Sequence, residues 1–264
     1  MNIQGKHFQI GADPEIFLGK DGRFVSAHDK LPGDKLNPHR VEKGAVQVDG
    51  LAAEFNIDPA DSFEEFEENL NSVQTTLLGM IGEHEFLQDS SVFFDEEFIK
   101  DIPAFNLALG CMSDFDAWSM QENQPPDQTK LMRTTGGHVH IGGIHADNPH
   151  KMKHITKTGR LARILDETVG VYSLLWDDDD ERRAMYGKAG CFRPKEYGME
   201  YRTLSNRWIF SPTTVKFVFD GVVEAIDAWL GGYEPDPAIA DIINTSNRNS
   251  PFFTDNIKAK LLRG

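Results

Sequence analysis

Hydrophobic positions alternate with polar ones near the start of the chain and recur at helical spacing further in. In KHFQIGADPEIFLGKDGRFVSAH, Phe8, Ile10, Ile16, Phe17, Leu18, Phe24 and Val25 predict a hairpin turning at GKDG. GAVQVDGLAAEFNI predicts a second strand region, with Val46 and Val48 alternating and Leu51 to Ile57 resuming after Gly50. Phe63, Phe66, Leu70, Val73, Leu77 and Ile81 then recur three or four apart, which predicts a helix capped by Asp61 or Ser62. PAFNLALGCMSDFDAW reads as a strand entering a loop, and HVHIGGI as a short strand ended by glycines.

A helix is expected over residues 154–175, with WDDDDERR as its solvated end. GMEYRTLSN is strand-like, and SPTTVKFVFDGVVEAIDAWLGG carries a helix with Ser211 at the cap, Pro212 inside it and a glycine stop. The last thirty or so residues read as helical. Strands fall early and late with helices between them. That order favours a mixed or antiparallel sheet backed by helices over regular βαβ alternation. There is no long repeat, low-complexity tract or flexible linker, and residues 1–264 are read as a single domain.

Composition narrows the classes. Hydrophobic residues make up 39% of the 264 and charged residues 26%, an ordinary globular balance. No apolar run approaches the ~20 residues that cross a bilayer, so no membrane association is expected. The N-terminal stretch lacks a secretory pattern, and Cys111 and Cys191 form no disulfide framework or metal-like pair; a cytoplasmic setting is expected. The formal charge of −15 speaks against a nucleic-acid surface. It leaves room for a compact anion such as a nucleotide, because acidic residues recruit divalent cations that in turn hold phosphates.

Four stretches carry candidate chemistry. Asp13 and Glu15 in GADPEIFL share one strand face, either as a wet edge or as a cation site. Gln47 and Asp49 share one parity, and Glu54 lies among Leu51, Ala52, Ala53 and Phe55, which calls for a partner if it is buried. His138 and His140 in TTGGHVHIGG lie on one face with Val139 opposite, and the flanking glycines admit a close ligand. Arg182, Arg183, Lys188, Arg193, Lys195, Arg202 and Arg207 concentrate positive charge in an acidic chain, either as phosphate clamps or as an ion-paired ribbon, and Glu200 shares a face with Arg202. The chain has no P-loop, dinucleotide fingerprint, HExxH or GxSxG motif.

The order D-x-E, second-strand E, H-x-H, arginine-rich loop and E-x-R resembles the glutamine synthetase / glutamate–cysteine ligase superfamily. Within it the chain is most similar to the phage-encoded carboxylate–amine ligases of type 2. The match is carried by GADPEIFL, GAVQVDGLAAEFNIDPA, GGHVHIGG and YGKAGCFRPKEYGMEYR, from residue 9 to about residue 207. The resemblance implies an α+β fold, a curved and largely antiparallel sheet with helices on its outer face. It also implies ATP and Mg²⁺ or Mn²⁺ on the concave face. Asp13, Glu15, Glu54, His138 and Glu200 stand at metal-binding positions, with Asp13 in place of the superfamily's more usual glutamate. His140, Arg183, Lys188 and Arg193 stand near the nucleotide, and Arg193, Arg202 and Glu54 at the reacting groups. The separate N-terminal domain of glutamine synthetase is not expected.

The implied activity is ATP-dependent amide or peptide-like bond formation between a carboxylate and an amine through an acyl phosphate, in the cytoplasm of an infected bacterium if the chain is phage-encoded. The residues alone also allow a metal-dependent hydrolase or phosphoesterase, or a non-catalytic phage structural or host-binding protein. Loops 26–44 and 111–133 are the expected seats of substrate specificity, and Lys30, Lys35, His39 and Arg40 in the first are read either as solvated or as meeting an anionic substrate.

Overall fold

The computed structural model describes residues 1–100, 102, 114–124 and 131–254. The predicted hairpin forms: strand β1 (Gln9–Lys20) returns as β2 (Arg23–Val25). A short β3 (His39–Val41) leads into β4 (Gly44–Asp49) and β5 (Ala52–Ile57), so the second strand region is itself a hairpin. Helix α1 (Phe63–Ile81) follows; Ser62 Oγ accepts from the Glu65 amide at 3.2 Å and caps it as expected. β6 (Glu85–Leu87) rejoins the sheet, and β7 (Phe115–Asp116) and β8 (Gln121–Glu122) extend its far end. Most of the strand expected over 103–118 lies outside the described residues, as does Cys111.

Strand β9 (Gly137–Gly142) holds the two histidines. Helix α2 (Met152–Leu165) continues as one π-helical turn, Asp166–Gly170, and a 3₁₀ turn, Val171–Leu175. Short helix α3 (Asp180–Met185) precedes β10 (Cys191–Lys195) and β11 (Gly198–Tyr201). Helix α4 (Pro212–Leu230) starts with its proline, and α5 (Ala238–Asn244) bears out a helical segment near the end. No helix among the described residues is long and apolar enough to cross a membrane.

Eleven strands form one sheet, ordered β8-β7-β10-β11-β9-β1-β5-β4-β3, with β2 and β6 both pairing the far end of β1. The pairings within it are antiparallel, so the α+β expectation holds. Strand alternation sorts the sheet into two faces. Ile10, Ala12, Ile16 and Leu18 of β1, Ala53 and Phe55 of β5, Val139 and Ile141 of β9, and Met199 and Tyr201 of β11 enter the apolar core. Phe66, Leu70, Val73 and Leu77 of α1 pack into the same core, with Leu161 and Ile164 of α2 and Val218, Val222 and Ile226 of α4. The intervening strand positions, Asp13, Glu15, Gln47, Asp49, Glu54, His138, His140, Arg193 and Glu200, fall by parity on the other face.

WDDDDERR is not a solvated end. Asp177, Arg182 and Arg183 are 2%, 0% and 2% exposed. The chain leaves the 3₁₀ turn, is capped by Asp179 Oδ1 accepting from the Arg182 amide at 2.8 Å, and turns both arginines inward. Arg182 donates from Nε to Thr135 O (2.7 Å), from Nη1 to Thr203 O (3.1 Å) and from Nη2 to Leu204 O (2.7 Å). It staples the residues just before β9 to those just after β11.

Candidate active site

The polar face is assembled by register. His138 pairs with Asp13 and His140 with Gly11 across β9 and β1; His140 pairs with Glu200 across β9 and β11; Glu15 pairs with Glu54 and Gln47 with Glu54 across β1, β5 and β4; Arg193 pairs with Glu200 across β10 and β11. Residues up to 187 positions apart thus meet because each D-x-E, H-x-H and E-x-R pair keeps both members on one side of its strand.

Charge divides this face in two. In the centre, Asp13 Oδ1 lies 3.2 Å from His138 Nδ1, and Asp13 Oδ2 lies 3.0 Å from His140 Nε2. Burial would raise the Asp13 carboxyl, but His140 and His138 outweigh it and hold it well below its usual range. Glu200 is fully buried and accepts from Arg202, from Arg193 at 3.1 Å and from Lys195 at 2.8 Å. Burial opposes its charge; Arg202, His140, His138 and Arg193 restore it and keep the carboxyl far below the ordinary glutamate value. Arg202, 4% exposed, also donates to the Tyr186 hydroxyl and to Asp114 Oδ2 (3.1 Å) and stacks over the Tyr186 ring.

At the β4–β5 end acids predominate. Burial, then the neighbouring Asp49, pushes Glu15 up to about 7, although the Gly136 amide donates to it at 2.7 Å. Burial, followed by Asp13, Asp49 and Glu15, raises Glu54 well above its ordinary value, while Gln47 donates to one of its oxygens at 2.6 Å. Lys35 brings a positive charge to this end, its Nζ 2.7 Å from Asp49 Oδ2.

Among the described residues, donor atoms of Asp13, His140 and Glu200 lie within 4.8 Å of one another. Asp13 Oδ1 and His140 Nε2 are buried and meet their ion-pair neighbours without good hydrogen-bond geometry, a condition that a cation between them would relieve. Two carboxylates and an imidazole suit Mn²⁺ and, with added water, Mg²⁺. The group draws on His140, which the resemblance set nearer the nucleotide. His138 Nδ1 faces Asp13 and, at 3.6 Å, Glu200, and Glu15 and Glu54 stand one rung further along.

A cavity of about 610 Å³ opens from Asp13, Glu54 and His140 towards Asn56, His145 and Tyr197. Tyr197 hydrogen-bonds His140 Nδ1 and forms part of its wall. The glycines around the histidines divide by function. A Cβ on Gly136 would strike the His138 ring, one on Gly137 the Ser205 carbonyl and Trp208, and Gly143 has φ +101° with His7 O in the way. Those three are required by the chain's own packing. Gly142, and Gly11 across the strand pair, have room for a methyl; there the bare backbone leaves space in the cavity.

Arg193, Arg202, Glu54, Asp13, Glu15, His138, His140 and Glu200 are therefore brought to one face. Two expected nucleotide contacts are not. Arg183 is buried against Asp177 (3.3 Å) and Ser173, and Lys188 projects into solvent while its carbonyl serves Thr203. Asp114, Tyr186 and Tyr197 were not picked out from sequence; their positions follow from tertiary packing and carry no motif.

This face defines an α+β protein with a cation-ready carboxylate–imidazole group beside buried guanidinium groups. Residues 131–226 match the family model described as phage phiEco32-like COOH.NH2 ligase type 2. The matched stretch carries His138, His140, Arg193, Glu200 and Arg202, and the name of that family denotes a carboxylate–amine ligase. No curated protein matches the chain.

Proposed function

We propose that the protein is an ATP-dependent carboxylate–amine ligase that forms an amide or peptide-like bond through an acyl phosphate. The observation that carries this reading is the placement of the Asp13–His140–Glu200 group beside Arg193 and Arg202 on one sheet face. A Mg²⁺ or Mn²⁺ ion held there would neutralise phosphate oxygens and polarise the γ-phosphoryl group. Arg193, less enclosed than Arg202, donates positive charge towards the same space, while Arg202, fixed by Glu200, Asp114 and Tyr186, holds the E-x-R strand in place. Tyr197 fixes the His140 ring. Among the described residues no side chain on this face is a built nucleophile, which suits a reaction driven by charge neutralisation and positioning. The substrate carboxylate oxygen attacks the γ-phosphorus and ADP leaves; the neutral amine nitrogen then attacks the acyl carbon, inorganic phosphate leaves with the C–O electron pair, and the nitrogen's surplus proton passes to that phosphate or to solvent.

The test has two parts. Mn²⁺ binding, followed calorimetrically, should weaken at least tenfold in Asp13→Asn and His140→Ala. ADP release in a screen of carboxylate and amine pairs should require both partners. Unaltered Mn²⁺ binding in both variants, or turnover of phosphoesters without ATP, would overturn the reading; the second result would favour a metal-dependent hydrolase.

A further inference from the structure

Glu200 belongs to the candidate cation group, yet its accepting positions are already filled. Oε1 accepts from Arg202 and, at 3.1 Å, from Arg193; Oε2 accepts from Arg193 at 3.1 Å and lies 2.8 Å from Lys195 Nζ. An ionised carboxylate offers about four such positions, and these four contacts use them. A divalent cation shared with Asp13 and His140 needs one Glu200 oxygen. It would stand close to three positive side chains, where burial weakens screening. One of them has to yield.

The geometry distinguishes the three. Arg202 is the most enclosed, its side chain 4% exposed, and it is held from elsewhere by Asp114 (3.1 Å) and the Tyr186 hydroxyl. Arg193, 14% exposed, spans both oxygens from one nitrogen. Lys195, 24% exposed, reaches a single oxygen with a compact, strongly hydrated ammonium on a flexible stem. Its backbone is fixed separately: Lys195 ends β10, and its carbonyl accepts from His154 Nε2 at 2.9 Å. The side chain can therefore leave Glu200 for solvent while the strand stays in register.

We propose that Lys195 is an exchangeable counter-ion of Glu200: it neutralises the carboxylate until Mg²⁺ or Mn²⁺ binds with Asp13 and His140, and then yields Oε2 to the metal. This rests on the cation group that carries the ligase reading. The exchange turns a site balanced from within into one that presents a divalent cation and a freed ammonium together. Its attraction for an anionic substrate therefore rises when the metal enters, rather than standing at full strength beforehand.

Calorimetric Mn²⁺ titrations without nucleotide test this. Lys195→Met should bind Mn²⁺ at least about tenfold more tightly than wild type, because an ammonium no longer repels the ion. Lys195→Arg keeps the charge and should stay near wild type. A lysine that merely supports the strand predicts the opposite sign, weaker binding in Lys195→Met. In wild type labelled with ¹⁵N, the Lys195 ammonium resonance should be visible while it is bonded to Glu200 and should fade into rapid exchange with water as Mg²⁺ saturates. Thermal unfolding confirms that each variant is folded, and the wild-type NMR titration needs no variant to fold. Unchanged or weaker Mn²⁺ binding in Lys195→Met, no Mn²⁺ binding in either protein, or a Lys195 resonance untouched by Mg²⁺ overturns the exchange. Asp13→Asn separates the two readings. Mn²⁺ binding that survives it strikes at the ligase site itself, whereas a site that it removes but Lys195→Met does not tighten strikes at the exchange alone.

Discussion

Replacing Arg182 by Met should uncouple the two central site strands. The guanidinium is fully buried, with no carboxylate at ion-pair distance among the described residues, and burial lowers its affinity for the proton. Its three donors satisfy the carbonyls of Thr135, Thr203 and Leu204. Leu204 O keeps the Gly137 amide as a donor at 3.0 Å, so two buried carbonyls lose their partner at about 1–3 kcal/mol each, roughly 2–6 in total. The variant also loses the desolvation penalty of the guanidinium, several kcal/mol for a buried ion. The net effect therefore lies near the low end, about 2 kcal/mol, and lowers the melting temperature by about 5 °C in a chain of this size. Urea unfolding monitored by tryptophan fluorescence measures it, with Arg182→Lys expected in between because one ammonium cannot reach all three carbonyls. A loss below about 1 kcal/mol in Arg182→Met would refute the staple, since the carbonyls would then have found water or each other.

Other outcomes follow from the same geometry. Asp166 accepts from Trp118 Nε1 (2.6 Å) and the Tyr201 hydroxyl (2.7 Å), and burial raises it from 3.8 to about 7. A raised carboxyl contributes stability that is complete below about pH 4 and is lost as pH rises to about 7. Between those values wild type should lose about 1.4 kcal/mol per pH unit relative to Asp166→Asn; parallel urea-stability profiles of the two proteins would remove Asp166 from the account. Gly142→Ala should keep or raise stability by up to about 1 kcal/mol, whereas Gly137→Ala, whose Cβ would sit 2.4 Å from Ser205 O, should cost about 1–3. If both glycines served the ligand alone, thermal melts of the pair would coincide.

The helices α1 and α4, the first hairpin and the strand character of residues 44–57 were readable because their information is local: apolar spacing, caps, and a turn glycine; that those residues fold back as a hairpin was not. That several candidate residues share one sheet face was readable for a related reason. D-x-E, H-x-H and E-x-R fix parity, and parity decides the face before any contact is known. Arg182 and Arg183 were opaque, because burying an arginine depends on Thr135, Thr203, Leu204 and Asp177 being brought to it by strands and turns the local pattern does not describe. The glycines framing the histidines were misjudged for the same reason. Gly136, Gly137 and Gly143 answer to a histidine ring, a tryptophan and a carbonyl, and only Gly142 answers to open space.

The single intervening residue in each site pair has a consequence for descent. Lengthening or shortening a strand by one residue between Asp13 and Glu15, His138 and His140, or Glu200 and Arg202 would send one member of the pair into the hydrophobic core. Insertions can therefore accumulate in the connections while these three spacings stay at two. A search for distant kin should weight that spacing above residue identity, and let the lengths between the pairs float.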